Sequence, residues 1–216
     1  MSGIQQMLTG GTYKPAPSTI GQAFGGGFYA GQIAVGGGGV ATHYLIVAPK
    51  ATGEATGYVW GPSGTATGYT SVIDGPTNSA GEFALGSSYQ AATFCEGLTI
   101  GGYSDWYLPA KNELEVLYYN LKPTSTSNFT SSGSNANAVS PEPISTNYTS
   151  SSPAQTSTGI GFRTGETEAF ASSYYWTSTE FSTTNAWSHF FSNGLQSSTT
   201  KSSSTGYVRA VRRIPI

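Results

Sequence analysis

The chain has 216 residues, which is enough for one large domain or two small ones. Charged residues make up only 9% of it and the formal net charge is −2. This argues against a nucleic-acid binder, because such proteins carry basic stripes that neutralise phosphates. The 14 Tyr, 10 Phe and 4 Trp argue against disorder, since they supply a core that disordered segments lack. With 29 Gly, the composition is typical of a β-rich extracellular or virion protein.

The N-terminal segment is predicted to be an attachment arm. Residues 1–21 are interrupted by Gly, Pro and Lys and show little helical or strand periodicity. We therefore expect an arm there and one domain over residues 22–216. The first residues lack the basic and apolar regions of a secretion signal, and no apolar run reaches the roughly 18 residues that suggest a membrane span. A surface-type composition without a secretion signal suggests packaging on a phage particle that is released by lysis.

Short β-type runs separated by glycine turns are predicted for the first part of the domain. Three runs of apolar, aromatic or β-branched residues predict strands, at residues 28–34, 43–48 and 58–62. The tract Gly36–Gly39 lies between the first two and favours a hairpin turn over a phosphate-binding loop. Trp60 in the third run is expected to anchor the core.

Two amphipathic helices are predicted next. The first covers residues 87–97, and the second begins after Pro109 and ends before Pro123, because apolar residues recur at helical spacing in both. Glu113 stands where a capping-box carboxylate reaches back to the start of the second helix. Ala110 occupies the N-cap position without a side-chain acceptor, so we expect this cap to be weaker by about 1 kcal/mol.

A polar insertion separates these helices from the C-terminal strands. Residues 124–158, called the insertion below, are rich in Ser, Thr, Asn and Pro, and loops of this length are usually functional or mobile. We expect the insertion to be an ordered loop with little hydrophobic core of its own. The β pattern then returns, with strands predicted at residues 174–180, 186–191, 195–201 and 207–214. Asn193-Gly194 predicts a tight hairpin turn.

Three motifs make the chain resemble a known family: Gly-Gly-Tyr-Ser-Asp-Trp-Tyr-Leu-Pro at 101–109, Tyr-Trp-Thr-Ser-Thr-Glu at 175–180 and Val-Arg-Ala-Val-Arg at 208–212. Their order is similar to that of the C-type-lectin-like domain at the C-terminus of the Legionella collagen-like adhesin and of its phage virion variants. The resemblance covers about residues 22–213. It implies an α+β, C-type-lectin-like fold, with two helices packed on a twisted, mostly antiparallel sheet and long loops.

Structural roles are expected for most residues of these motifs. Trp106 and Trp176 should fill the core, and Asp105 should accept backbone N–H bonds in its turn instead of binding a metal ion. The basic residues of the last motif are expected to form structural ion pairs; they are Arg209, Arg212 and the adjacent Arg213.

Catalysis is not expected. Enzymes of similar fold, of the formylglycine-generating type, need reactive cysteines, whereas Cys95 is a single Cys on the apolar face of a helix. His43 and His189 define neither a zinc site nor a catalytic triad. Glu166 and Glu168 lie on a polar loop and are expected to be a solvated pair, not a glycosidase pair. No cofactor is expected; calcium stays open, although the Glu-Pro-Asn motif of calcium-dependent lectins is absent.

The resemblance implies a ligand-contacting surface on the C-terminal hairpin. Aromatic and amide side chains there offer rigid faces and hydrogen bonds that suit a glycan or a protein. The candidate residues are Tyr174, Asn185, Trp187, His189, Phe191, Asn193, Gln196 and Lys201. By strand alternation half of them should face the core. We expect Trp187, His189 and Asn193 to be exposed.

These features favour a non-enzymatic phage virion surface protein, a tail fibre or appendage, that binds a host-surface glycan or protein. Its other expected partners are virion proteins that hold the arm, and copies of itself in a trimer. A capsid decoration protein without a receptor role is one alternative, and a bacterial surface adhesin module is another. Neither a nucleic-acid partner nor a membrane span is expected.

Overall fold

The computed structural model describes residues 15–203 and 206–216. This part of the chain is an α+β domain, as predicted, with two sheets and four helices. The strands are β1 (Ala23–Phe24), β2 (Gly27–Ile33), β3 (His43–Val47), β4 (Glu54–Thr56), β5 (Tyr174–Glu180), β6 (Asn185–Phe190), β7 (Gln196–Thr200), β8 (Tyr207–Arg209) and β9 (Val211–Pro215). The helices are α1 (Lys50–Gly53), α2 (Gly75–Ala84), α3 (Gln90–Glu96) and α4 (Lys111–Leu121).

The first sheet has the strand order β1-β2-β3-β9, and its neighbouring strands are antiparallel. Strands β2 and β3 confirm the predicted hairpin. Helix α4 packs against β2, where Gly31 (φ +141°) permits a close approach. A Cβ at Gly31 would lie 2.8 Å from the Val116 side chain and 2.6 Å from Asn120 Nδ2. The Asn120 amide instead donates a hydrogen bond to the Ala30 carbonyl at 3.0 Å.

The second sheet has the order β4-β8-β5-β6-β7, and only β5 and β8 pair in parallel among these described strands. The single final strand predicted at 207–214 is wrong, because the chain passes from the second sheet (β8) to the first (β9). The change falls at Ala210. Its carbonyl accepts the Ala48 N–H at 2.9 Å, and its N–H donates to the Gly53 carbonyl at 3.0 Å.

The sequence predicts two of the four helices in the described chain. Helix α3 lies within the predicted segment 87–97, and α4 fills the interval between Pro109 and Pro123. Helix α2 is missed because it contains two glycines, Gly75 and Gly81, which weaken a helical pattern.

The start of α4 is satisfied by distant parts of the chain. The Glu113 carboxylate accepts the Ala110 N–H at 2.8 Å, as predicted. The Ala110 methyl cannot accept a hydrogen bond, but the Lys111 N–H donates to Thr179 Oγ1 at 2.9 Å and the Asn112 N–H to a carbonyl before α2 at 2.8 Å. These tertiary partners replace the missing side-chain cap, so the expected weakness is offset.

Three tryptophans are fully buried and hold the core together, which confirms the core positions predicted for Trp60, Trp106 and Trp176. The strand predicted at 58–62 does not form, and this segment is irregular. Its Trp60 is fixed instead by a hydrogen bond from Nε1 to the Thr177 carbonyl at 2.7 Å.

The C-terminal arginines form the predicted ion pairs. Arg209 contacts Glu168 at 2.6 Å, Arg212 contacts Asp105 at 2.7 Å, and Arg213 contacts Glu113 at 2.6 Å, as nitrogen–oxygen distances. The Arg212–Asp105 pair is bidentate, with a second bond of 2.8 Å. Asp105 therefore has a structural role, but its partner is a guanidinium and not the turn N–H groups that the sequence suggested. Glu168 is likewise an ion-pair partner, so the solvated pair predicted for Glu166 and Glu168 is wrong.

The described chain begins within the predicted arm. Residues 1–14 of that arm lie outside the described residues, while residues 15–21 run onto the domain: Ile20 packs against the core, and the Gly21 N–H donates to the Tyr29 carbonyl at 2.8 Å. Residues 15–21 therefore contact the rest of the described domain. Within the described ranges, no helix is long and apolar enough to cross a membrane.

Candidate ligand-binding site

The eight candidate residues of the hairpin divide into a half-buried group and a fully buried group. Tyr174, Asn185, Trp187, Asn193 and Gln196 are half-buried, whereas His189, Phe191 and Lys201 are at most 1% exposed. Strands β6 and β7 pair in antiparallel register, so that Trp187 lies opposite Ser198 and His189 opposite Gln196. Only the half-buried group can contact a ligand at this surface.

The exposure predicted for His189 is wrong. It shares a strand face with Trp187, but α4 covers that end of the face: the Tyr118 ring lies 5.0 Å from the His189 ring, and Phe191 packs on both. Burial, and then the positive charge of Lys111, lower the pKa of His189 to about 3. His189 is therefore a neutral core residue.

Lys201 is also structural. Its amine forms a buried ion pair with Glu180, donates to the Thr65 carbonyl at 2.8 Å and lies 4.9 Å from the centre of the Trp60 ring. Phe191 lies in the aromatic core. His189, Phe191 and Lys201 therefore attach the hairpin to the domain and are not accessible to a ligand.

A groove lies between this hairpin, the start of α4 and the insertion. We call it the hairpin groove; it has a volume of about 180 Å³ and is lined by Lys111, Ser131, Ser132, Ser134, Asn147, Trp187 and Gln196. Two of the predicted candidates, Trp187 and Gln196, are thus brought together. Tyr174, Asn185 and Asn193 do not line it.

The Trp187 ring is held in place on two sides. The Phe181 ring packs edge-on against it, with ring centres 5.0 Å apart and an interplanar angle of 88°. The Lys111 amine lies 5.0 Å from the ring centre, within the range of a cation–π contact. Burial lowers the pKa of Lys111, and Glu115 opposes this shift. The indole is therefore a preformed, half-exposed aromatic surface.

Gln196 connects the hairpin to the insertion. Its backbone N–H donates to Ser132 Oγ at 3.0 Å, and its side-chain Oε1 accepts the Gly133 N–H at 3.2 Å. In the described chain, its buried Nε2 has no hydrogen-bond partner. Because a buried donor without a partner costs free energy, Nε2 is a candidate donor to an oxygen atom of a ligand.

Sequence reasoning missed five lining residues, namely Lys111, Ser131, Ser132, Ser134 and Asn147. Four of them lie in the insertion, which contains no helix or strand but packs closely on α4. The missed signal was its composition, since Ser and Asn supply the hydroxyl and amide groups found here. These residues are far from the hairpin in sequence, so their proximity to it could not be predicted.

A network of carboxyl groups fixes the insertion to α4. Asn135 Nδ2 donates to Glu115 at 2.7 Å and to Glu142 at 3.2 Å, and the Tyr148 hydroxyl donates to Glu115 at 2.7 Å. Burial, and then the negative charge of Glu115, raise the pKa of Glu142 far above its ordinary range. This shift favours the neutral, protonated form of Glu142 beside Glu115.

The single cysteine lies in the core. Cys95 is fully buried, and burial, followed by the charges of Glu96 and Glu82, raises the pKa of its thiol well above the ordinary value. This matches the predicted core position. Over residues 15–203 and 206–216, no group of three or more His, Cys, Asp and Glu side chains could hold a metal ion.

Comparison with known proteins supports the motif analysis. No curated protein matches the chain. The model of one family, the Lcl C-terminal domain, matches residues 51–212, three quarters of the chain. The matched segment begins in α1, ends at Arg212 and includes all the residues that line the hairpin groove. The chain therefore belongs to the Lcl C-terminal domain family, which indicates an adhesin-like module.

Proposed function

We propose that this chain is a non-enzymatic surface protein of a phage virion, a tail fibre or appendage, which binds a host-surface glycan or protein through the hairpin groove. The half-exposed Trp187 ring beside uncharged hydroxyl and amide groups carries this proposal. Aromatic rings pack on the apolar faces of sugars and proteins, and the neighbouring polar groups provide orientation. Family membership supports an adhesive role.

The rigidity of the groove supports a binding role. Trp187 lies on β6 and Gln196 on β7, while Lys111 opens α4. Regular elements and the hydrogen bonds of Gln196 hold these groups in place before a ligand arrives, which lowers the ordering cost of binding.

We further propose a C-type-lectin-like arrangement for the fold, with attachment to other virion proteins through the arm and assembly as a trimer. The exposed apolar side chains of Phe83 (47%) and Leu85 (50%) at the end of α2 are suited to a subunit contact. They also favour the second candidate function, a capsid decoration protein without a receptor role. A bacterial surface adhesin module would use the same groove.

The proposal is tested by the binding of purified protein to host cells. Trp187→Ala should reduce binding at least about tenfold, because the aromatic surface is lost. Val40→Ala is the control: it removes an exposed apolar side chain outside the groove and should bind like the wild type. Equal binding by Trp187→Ala and the wild type would contradict a receptor role for the groove. Electron microscopy of the source particle, with the chain on the capsid shell and the groove buried, would favour decoration.

A further inference from the structure

A second cavity lies beneath the insertion, beside the hairpin groove. It has a volume of about 220 Å³ and is lined by Tyr119, Gly133, Glu142, Pro143, Thr146, Asn147, Tyr148, Thr149 and Ser152. We call it the insertion cavity. Asn147 lines both spaces, and Ser132 of the groove directly precedes Gly133 of the cavity. The two spaces are therefore adjacent along the insertion.

The walls of the insertion cavity combine apolar rings with neutral polar groups. Tyr119, Pro143 and Tyr148 supply the ring surfaces, and the remaining side chains other than Glu142 carry hydroxyl or amide groups. Glu142 is the only Asp, Glu, Lys, Arg or His side chain in this lining. Burial and the neighbouring Glu115 raise the pKa of Glu142, which favours its neutral form.

Two backbone features lie in or next to the cavity lining. Gly133 adopts a φ of +102°, and a Cβ there would lie 2.3 Å from the Tyr148 ring, so only Gly allows this ring to pack against the backbone. Ser145 adopts a φ of +56°, in the left-handed region that non-glycine residues rarely enter. Its N–H donates to the Asn135 carbonyl at 3.1 Å. Such strained residues cluster at ligand-binding sites.

We propose that the insertion cavity is a subsite for one neutral sugar ring, and that a neutral oligosaccharide spans the cavity and the hairpin groove across Asn147. This inference rests on the proposed function and specifies its ligand class. The cavity is smaller than the roughly 300–1,000 Å³ of pockets for drug-sized ligands, which suits a single ring. A sulfated or sialylated sugar is disfavoured in the cavity, because the cavity lining contains no basic side chain to pair with its charge.

The test uses an array of neutral hexose and N-acetylhexosamine oligosaccharides of one to six units, with their sulfated and sialylated counterparts. Wild-type protein should bind neutral chains of two or more units more tightly than single sugars. Thr146→Phe places a ring in the cavity mouth and should lose this gain, about tenfold in affinity. Thr126→Phe, at an exposed position of the insertion outside the cavity and groove linings, is the matched control and should bind like the wild type.

The outcomes separate the subsite from the proposed function. Wild-type affinity of Thr146→Phe for every chain length, with binding lost in Trp187→Ala, would remove the subsite and retain the groove as receptor site. If both variants bind like the wild type, both proposals fail. Binding only to sulfated or sialylated sugars, or to no sugar on the array, would overturn the neutral ligand class. If Thr146→Phe does not fold, Thr146→Leu replaces it and should weaken the longer chains selectively.

Discussion

The C-terminal motif strands and the insertion are held to the domain by different interactions. Arg209, Arg212 and Arg213 each bind a carboxylate through a short ion pair. In the described chain, no ion pair joins residues 124–158 to the rest. The insertion instead uses amides: Asn137 Nδ2 donates to the Ala34 carbonyl at 2.8 Å, and Asn135 bridges two carboxyl groups.

This difference shows how a chain with 9% charged residues can hold long irregular segments. Its opposite charges are paired where the family motifs lie. In the described chain the insertion is held without ion pairs, by hydrogen bonds to amide, carboxyl and Lys122 amine groups, and it forms part of the candidate binding surface. The lining of the insertion cavity contains no basic side chain and a single carboxyl group, which suits a neutral sugar ring. Three substitutions test how the motif strands, the insertion and the start of α4 are stabilised.

The largest effect is expected from the buried arginine of the motif strands. Arg209→Met should lower the free energy of unfolding by about 3–5 kcal/mol, because Glu168 and Glu54 then lose their buried partner. Urea unfolding measures the change. Arg163→Met is the matched control, since Arg163 donates to the neutral Gln155 and forms no ion pair in the described chain. Equal losses in the two variants would remove the distinction between charged and neutral anchors.

A smaller, pH-dependent effect is expected in the insertion. Burial raises the pKa of Glu142, and Glu115 adds to the shift. The folded chain therefore keeps a proton that the unfolded chain releases above about pH 4.5. Stability from this group is complete below that pH and falls as the pH rises, by at most about 1.4 kcal/mol per pH unit.

Thermal unfolding between pH 5 and 8 tests this linkage. Glu142→Gln stays neutral at every pH and should show a shallower loss of stability than the wild type as the pH rises. Glu166→Gln is the control: N–H groups of Arg163 and Gly159 lower the pKa of Glu166, which is therefore ionised in both states across this range. An identical slope for Glu142→Gln and the wild type would contradict the raised pKa of Glu142.

The smallest effect is expected at the start of α4. Ala110→Ser supplies the side-chain acceptor that normally stabilises a helix N-terminus by about 1 kcal/mol. Since Thr179 and Glu113 already satisfy N–H groups there, the gain in unfolding free energy should stay below about 0.5 kcal/mol. A full gain of about 1 kcal/mol in urea unfolding would mean that these tertiary partners do not replace the cap.

Local patterns in the sequence predicted several helices and strands. Features that depend on long-range contacts could not be predicted from these patterns. The motifs gave the family, and β-type runs and prolines placed β5 and α4. The division of the last strand at Ala210 depends on backbone partners far away in the chain, so periodicity could not reveal it. The same limit applies to the site: Trp187 was predicted, whereas the burial of His189 depends on Tyr118 from another element.

The divided final strand also constrains when the domain can form during synthesis. Strand β8 lies in the interior of the second sheet, between β4 and β5, and β9 pairs with β3 of the first. Neither sheet can be completed until residues 207–215 have left the ribosome. Pairings between ends of the chain so far apart slow folding. We therefore expect a nascent chain that lacks these residues to depend on chaperones or neighbouring chains to cover its open strand edges.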